Sequence, residues 1–171
     1  MEIGQVFTQI DGPVKREDIK AYAKASGDRN PIHLDEEFAV TVGLKGVIVH
    51  GMLYFGYISR MMGDIASENN ARFINLGGEL RGMLRPGDTV ITTAKVTGID
   101  GNQVSFEIVQ NSKMPLKIEK DGAVIKTFEA EEKAWVKEKE LSGIKTEETD
   151  EGTFTYREWL TVQGHAKIEL L

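Results

Sequence analysis

The sequence has no cysteine. That excludes a disulfide framework, thiolate zinc sites, iron–sulfur clusters and thiol nucleophiles, and it fits a reducing compartment. Histidine is scarce, with three in 171 residues. Basic side chains fall short of acidic ones, 21 against 27, for a formal net charge of −6. No cluster of Lys and Arg offers a surface for a phosphate backbone, so no nucleic-acid partner is expected. Long apolar runs are missing too. No segment approaches the ~18 apolar residues of a membrane-spanning helix, and Met1-Glu2-Ile3-Gly4-Gln5 has neither a basic nor an apolar leader region. These absences point to a cytoplasmic protein without membrane insertion. Any base or nucleophile must come from His, Asp, Glu, Ser, Lys or Tyr.

What is present is one domain's worth of chain, with 40% hydrophobic residues and enough length to bury a core unaided. Lys15–Ser26 carries Ile19, Tyr22 and Ala23 at helical spacing and stops at Gly27, which predicts a short amphipathic helix. Pro31 biases Asn30 toward extended backbone, so Gly27 to His33 reads as an ordered loop, followed by a helical turn from Asp35 to Thr41. From Val49 to Asn69, Met52, Leu53, Phe55, Tyr57, Ile58, Met61, Met62 and Ile65 cover nearly the whole helical circumference. The spacing predicts a helix buried on most sides, with Gly56 and Gly63 marking places where a sheet or a second chain comes close.

After Ala71 the pattern changes to β-like runs separated by turn signals: Arg72–Leu84, Thr89–Val96 and Gln103–Gln110, with a further hairpin at Asp121-Gly122. This reads as an antiparallel meander. Lys137–Glu151 is strongly charged and without aromatics, which predicts a solvated connector, and Thr153–Leu171 turns apolar again. Accordingly 1–137 is expected as the domain proper, with 138–171 as an acidic connector and apolar C-terminal extension.

Chemically capable groups are densest in Ser26-Gly27-Asp28-Arg29-Asn30-Pro31-Ile32-His33. Here a carboxylate and an imidazole sit five residues apart on a loop stiffened by proline, a pairing suited to proton exchange near neutral pH. By residue type alone the run also reads as a helix C-cap, a turn and a surface histidine. A second element, Val49-His50-Gly51-Met52, opens the apolar helix. Its first N–H groups have no intrahelical partner, so Gly51 could face a developing oxyanion. The alternative is that Gly51 permits a tight turn and His50 is structural.

The run from Tyr22 through Ser26-Gly27-Asp28-Arg29-Asn30-Pro31-Ile32-His33 to Phe38-Ala39, followed by Val49-His50-Gly51-Met52, resembles the MaoC-like dehydratases, the (R)-specific (type 2) enoyl-CoA hydratases. The resemblance extends from about Gly4 to Lys137 and implies an α+β hot-dog fold. In that fold a curved antiparallel sheet wraps a long central helix, here Val49–Asn69, usually in a homodimer.

The resemblance further implies an enzyme acting on acyl-CoA or acyl-carrier-protein thioesters. Asp28 and His33 would add water across a 2,3 double bond, or remove it from an (R)-3-hydroxyacyl thioester. His33 is then the base toward water and Asp28 exchanges the proton at C2. The Gly51 N–H donates to the thioester carbonyl. Asn30 would fix the loop, and Ser59 would hydrogen-bond near the dyad or bond its own backbone. Met52, Tyr54 and Phe55 become candidates for the acyl chain, although such residues are often core, and Arg72, Arg81 and Arg85 for the nucleotide end. No metal or organic cofactor is implied.

Asn111–Gly122 and the tail depart from the family's compact pattern. Two rival readings are a hot-dog thioesterase, which would release free thiol, and a non-catalytic acyl-thioester-binding or assembly subunit whose tail covers the pocket or recruits a partner.

Overall fold

In the computed structural model, which describes residues 1–171, seven antiparallel strands make one sheet. β1 (Val6–Asp11), β3 (Thr89–Asp100), β4 (Gln103–Lys120), β7 (Gly152–Leu170) and β2 (Ala71–Leu80) follow one another across it. β5 (Ala123–Thr127) pairs with β4, and β6 (Ile144–Thr149) with β7. The helices are α1 (Arg16–Ser26), α2 (Glu36–Thr41), α3 (Gly51–Glu68) and the single turn α4 (Glu129–Glu132).

α3 forms because its apolar residues recur every three to four positions, and the sheet curls around the face they make. Tyr54, Ile58, Met61, Met62 and Ile65 are buried there, against Val90, Ala94 and Val96 of β3, Val104, Phe106 and Ile108 of β4, and Val162, Ala166 and Ile168 of β7. Each buried Val, Ile, Met or Phe among them contributes about 1.5–3 kcal/mol. The expectation of burial on most sides is corrected. Met52, Gly56, Ser59, Arg60 and Gly63 form an exposed face, and a Cβ at Gly56 or Gly63 would meet nothing within 4 Å.

β4 alternates buried and outward residues without a break from Val104 to Ile118. Residues 111–120, within the stretch expected to depart from the family's compact pattern, continue the strand. The misleading feature is polar: Gln110 and Ser112 are fully buried, yet each has partners. Gln110 Nε2 donates to Tyr54 O and Thr92 Oγ1, both at 3.0 Å. Ser112 Oγ donates to Asp88 Oδ2 at 2.7 Å. Such satisfied groups can sit in a core without the penalty of an unpaired one. Pro115 is accommodated where the register with β7 shifts.

The boundary expected at residue 137 does not correspond to a break in the sheet. β7 is an inner strand, pairing with β4 from Gln103↔Glu169 to Glu119↔Thr153 and with β2 from Ala71↔Leu170 to Leu80↔Val162. Its apolar alternation places Val162, Ala166 and Ile168 in the main core, so the tail completes the fold instead of extending it.

The added material lies between β4 and β7. The far halves of those strands, with β5, α4 and β6, enclose a second core of Met114, Leu116, Ala130 and Trp135. The expected connector 137–151 includes a 3-10 helix, Glu138–Gly143, and β6. This inserted unit is tied back to the N-terminal half. Trp135 Nε1 donates to Lys45 O at 2.9 Å, and Lys133 Nζ donates to Glu36 Oε1 at 2.7 Å.

Candidate active site

α1 stops at Gly27, whose left-handed backbone (φ 81°) closes the cap through its N–H to Ala23 O. Side chains then fold the next residues one after another. Asp28 N–H donates to Ser26 Oγ at 3.2 Å, Asn30 N–H to Asp28 Oδ1 at 3.1 Å and Ile32 N–H to Asn30 Oδ1 at 3.3 Å. Asn30 thus caps the 3-10 turn Pro31–His33, which swings His33 inward while Asp28 stays exposed.

His33 Nδ1 lies 2.7 Å from Ile48 O. A carbonyl only accepts, so this contact assigns the proton to Nδ1 and leaves Nε2 with a free lone pair. Burial pushes the His33 pKa below the ordinary imidazole value, outweighing the Ile48 carbonyl that raises it; His50 adds to the lowering, and Asp28 opposes it. Neutral His33 is thereby favoured near pH 7, with its basic nitrogen unspent.

His50 supplies the brace that the sequence reading left as merely structural. Its ring stacks on that of His33 with centroids 3.9 Å apart, and the Tyr22 ring packs against it at a tilt, with centroids 5.0 Å apart. His50 Nε2 lies 3.0 Å from Asp28 O. A polar ligand atom from each of Asp28, His33 and His50 falls within 4.8 Å of the others. Its position just before Gly51 was the available signal, but ring stacking across 17 residues has no trace in local sequence.

His50 is also the N-cap of α3, and it makes no side-chain capping bond. Gly51, the first helical residue, therefore presents an N–H with no intrahelical acceptor at the positive end of the helix dipole. A Cβ at Gly51 would come within 2.7 Å of Leu80 Cδ1, so glycine allows β2 to approach here.

The other sequence candidates are dispersed. Ser59 is exposed on α3, two turns beyond Gly51, and makes no hydrogen bond to the loop. Tyr54 is core: it is buried, and its hydroxyl donates to Gly82 O at 3.1 Å. Burial raises its pKa. Met52 is 59% exposed at the start of α3, and Phe55 is half-buried against the main core. Arg72 pairs with Glu169 and Arg81 with Glu79, whereas Arg85 is buried. His165 is exposed on β7 opposite Gly77, as a surface residue should be. The main cavities lie away from Asp28 and His33, and no helix is long and apolar enough to cross a membrane.

A long helix cradled by a curved antiparallel sheet, with a His- and Asp-bearing loop at the helix start, defines a hot-dog protein. Solved structures share that fold over the whole chain. The (R)-hydratase from A. caviae involved in PHA biosynthesis aligns with a TM-score of 0.63 at 20% identity, covering 100% of this chain and 98% of that one. The R-hydratase PhaJ1 from Pseudomonas aeruginosa also gives 0.63 at 20% identity, covering 99% and 82%. The MaoC-like domain model matches residues 1–115, and the chain belongs to that family.

Among curated relatives, the (R)-specific enoyl-CoA hydratase of Rhodospirillum rubrum is 37% identical over 86 residues, 50% of this chain and 60% of that protein. The 3-hydroxybutyryl-CoA dehydratase of Methylorubrum extorquens is 34% identical over 83 residues, 48% and 53%. The chain thus spans 53–60% of the length of these two relatives. The match ends at residue 115, before β5, α4 and β6.

Proposed function

We propose that the chain is a hydro-lyase that hydrates 2-enoyl thioesters, of coenzyme A or an acyl-carrier protein, and dehydrates (R)-3-hydroxyacyl thioesters. The observation that carries this reading is the clustering of the exposed Asp28 carboxylate and the His33 imidazole with His50, the residue that immediately precedes Gly51 at the start of α3. The names of both relatives support the thioester substrate class, and that of the Rhodospirillum rubrum hydratase supports the R configuration.

In the hydration direction, His33 Nε2 removes a proton from water as the water oxygen bonds to C3. The π electrons move toward the thioester oxygen, where the Gly51 N–H and the helix dipole stabilise the developing negative charge. His33 passes the proton to Asp28, which delivers it to C2 and returns both groups to their starting state. Dehydration runs the same steps backwards. His50 holds both partners by stacking on one and bonding the backbone of the other.

The sign of the pH dependence follows. Neutral His33 is the active form and its pKa is lowered, so kcat/KM for hydration should rise with pH, inflect below 6.5 and stay level through 7. A pH–rate profile inflecting above 6.5 would contradict this role. Loss of conjugated enoyl absorbance reports hydration, whereas release of free thiol would identify a thioesterase.

A homodimer belongs to the same proposal. β2 has a free edge, and Phe73, Ile74, Leu80 and Met83 near it, with Met52 at the start of α3, are between 39% and 59% exposed. A second copy paired along β2 would cover this apolar strip and wall the Gly51 side of the site, where Met52 and Phe55 could meet the acyl chain. Ile74→Lys with Leu80→Lys should convert a dimer to a monomer by light scattering and lower activity. A parent chain that is already monomeric at micromolar concentration would refute it.

A further inference from the structure

We infer that the inserted unit builds a second binding pocket, for a phosphate or diphosphate group, from residues that lie mostly beyond the family match. The pocket is a cavity of about 270 Å³ at the junction of three segments. The β2–β3 connection supplies Arg81 and Arg85, the stretch after α4 supplies Trp135 and Lys137, and β7 supplies Arg157 and Trp159. In a chain of net charge −6, four cations converge here. One acid, Glu140, joins the lining, at 3.6 Å from the Arg157 guanidinium, and Arg81 is itself paired with Glu79 at the rim, which leaves Arg85 and Lys137 without an ion pair.

The telling residue is Arg85. It is only 7% exposed, yet it makes no ion pair, and its one side-chain hydrogen bond is a long one, 3.4 Å to Gly46 O. A buried guanidinium is ordinarily paired. Its neighbour Asp88, itself fully buried, forms no ion pair with the guanidinium and accepts instead from Arg85 N–H and Ser112 Oγ. Two further donors in the lining, Arg157 Nε and Trp159 Nε1, are buried without a partner.

The two guanidinium groups are also oriented. Arg85 lies over the Trp135 ring at 5.0 Å and Arg157 over the Trp159 ring at 3.7 Å. Stacking holds each planar fork in place and leaves its N–H edges for an oxyanion, the geometry that suits phosphate. The volume accommodates a phosphate or diphosphate but is small for a whole nucleotide. The pocket backs onto the site loop, because Arg85 holds Gly46 O and Trp135 holds Lys45 O, just before the Ile48 carbonyl that fixes His33.

The test is titration calorimetry of the full-length protein with inorganic diphosphate, a readout independent of any hydratase activity. Lys137→Gln and Arg157→Gln leave Arg85 in place; Lys137 is exposed and Arg157 partly so. Each should weaken binding about tenfold, as expected for one charge-assisted contact, with near-ultraviolet circular dichroism unchanged. Parent affinity should fall as salt rises. No heat of binding at millimolar diphosphate, or a double variant that binds as tightly as the parent, overturns the proposal.

A second arm identifies where the phosphate comes from. Competition between diphosphate and an enoyl-CoA, with KM raised in the double variant for enoyl-CoA but not for the phosphate-free N-acetylcysteamine thioester, means the groups belong to coenzyme A. Binding without competition means a separate phosphorylated molecule. Both outcomes support the pocket; the competition experiment needs no turnover, whereas the KM comparison rests on the proposed hydration.

Discussion

Asp28→Asn and His33→Gln should each lower kcat for hydration of an enoyl-CoA by about 10²–10⁴-fold, the usual contribution of a positioned acid or base. Folding should survive both changes. Asp28 is exposed, and its only side-chain bond accepts from Asn30 N–H, which an asparagine oxygen can also do. His33 is 9% exposed with Nδ1 on Ile48 O, so glutamine, which keeps a donor within reach, is the informative replacement. Alanine would leave that carbonyl buried and unpaired, at about 1–3 kcal/mol. Activity is read from enoyl absorbance and integrity from the thermal midpoint. A variant that keeps more than half of the parent activity would remove the corresponding residue from the mechanism.

Deleting residues 144–171 should unfold the protein. The deletion takes away β6 and β7, and β7 is hydrogen-bonded to β4 on one side and β2 on the other. It also empties the core of Val162, Ala166 and Ile168. Loss of a large buried aliphatic side chain costs about 2–5 kcal/mol, and a domain has only about 5–15 kcal/mol of stability in total. Gln110 and Thr161 lose each other as well, since Thr161 Oγ1 donates to Gln110 O at 2.8 Å. Near-ultraviolet circular dichroism of the truncated chain should lose its tertiary signal. A folded truncation with higher activity would restore the reading of the tail as a cover over the pocket.

The elements that were legible in the sequence carry a strong local signal. α1 ends one residue before a glycine with positive φ, and α3 has a 3.6-residue apolar repeat within one residue or two of its observed ends. The turn at Asp121-Gly122 separates β4 from β5 as its residue types require. The site loop was legible for the same reason. The backbone from Asp28 through Asn30 to the turn at His33 is set by side-chain bonds spanning two residues and by Pro31, so the spacing already contains the loop, whereas the His33 ring takes its place from Ile48 O and His50.

Other features depend on partners distant in the chain. Gln110 and Ser112 broke the apparent alternation of β4, and only Tyr54, Thr92 and Asp88 make them acceptable inside the core. No sheet of this chain approaches Gly56 or Gly63, because a glycine in a helix records freedom, not what lies opposite it. Arg85 stood beside Arg72 and Arg81 as a candidate for the nucleotide end, and nothing in the sequence set it apart until Trp135, 50 positions later, covered it.

The amino-acid sequence alone determined the local pieces: which residues form helices and turns, that no thiol takes part, and that one carboxylate and one imidazole share a loop. Their periodicities and caps act over a few residues, so composition and spacing suffice. Tertiary structure decided the rest. It placed β7 inside the sheet, although its sequence neighbours read as a connector, because both edges of β7 find partners, β4 and β2, while its apolar residues pack into the core beneath α3. It also brought His50 onto His33, and Arg85 and Arg157 onto two indoles. Those encounters arise from where the chain folds back, and no local pattern encodes them.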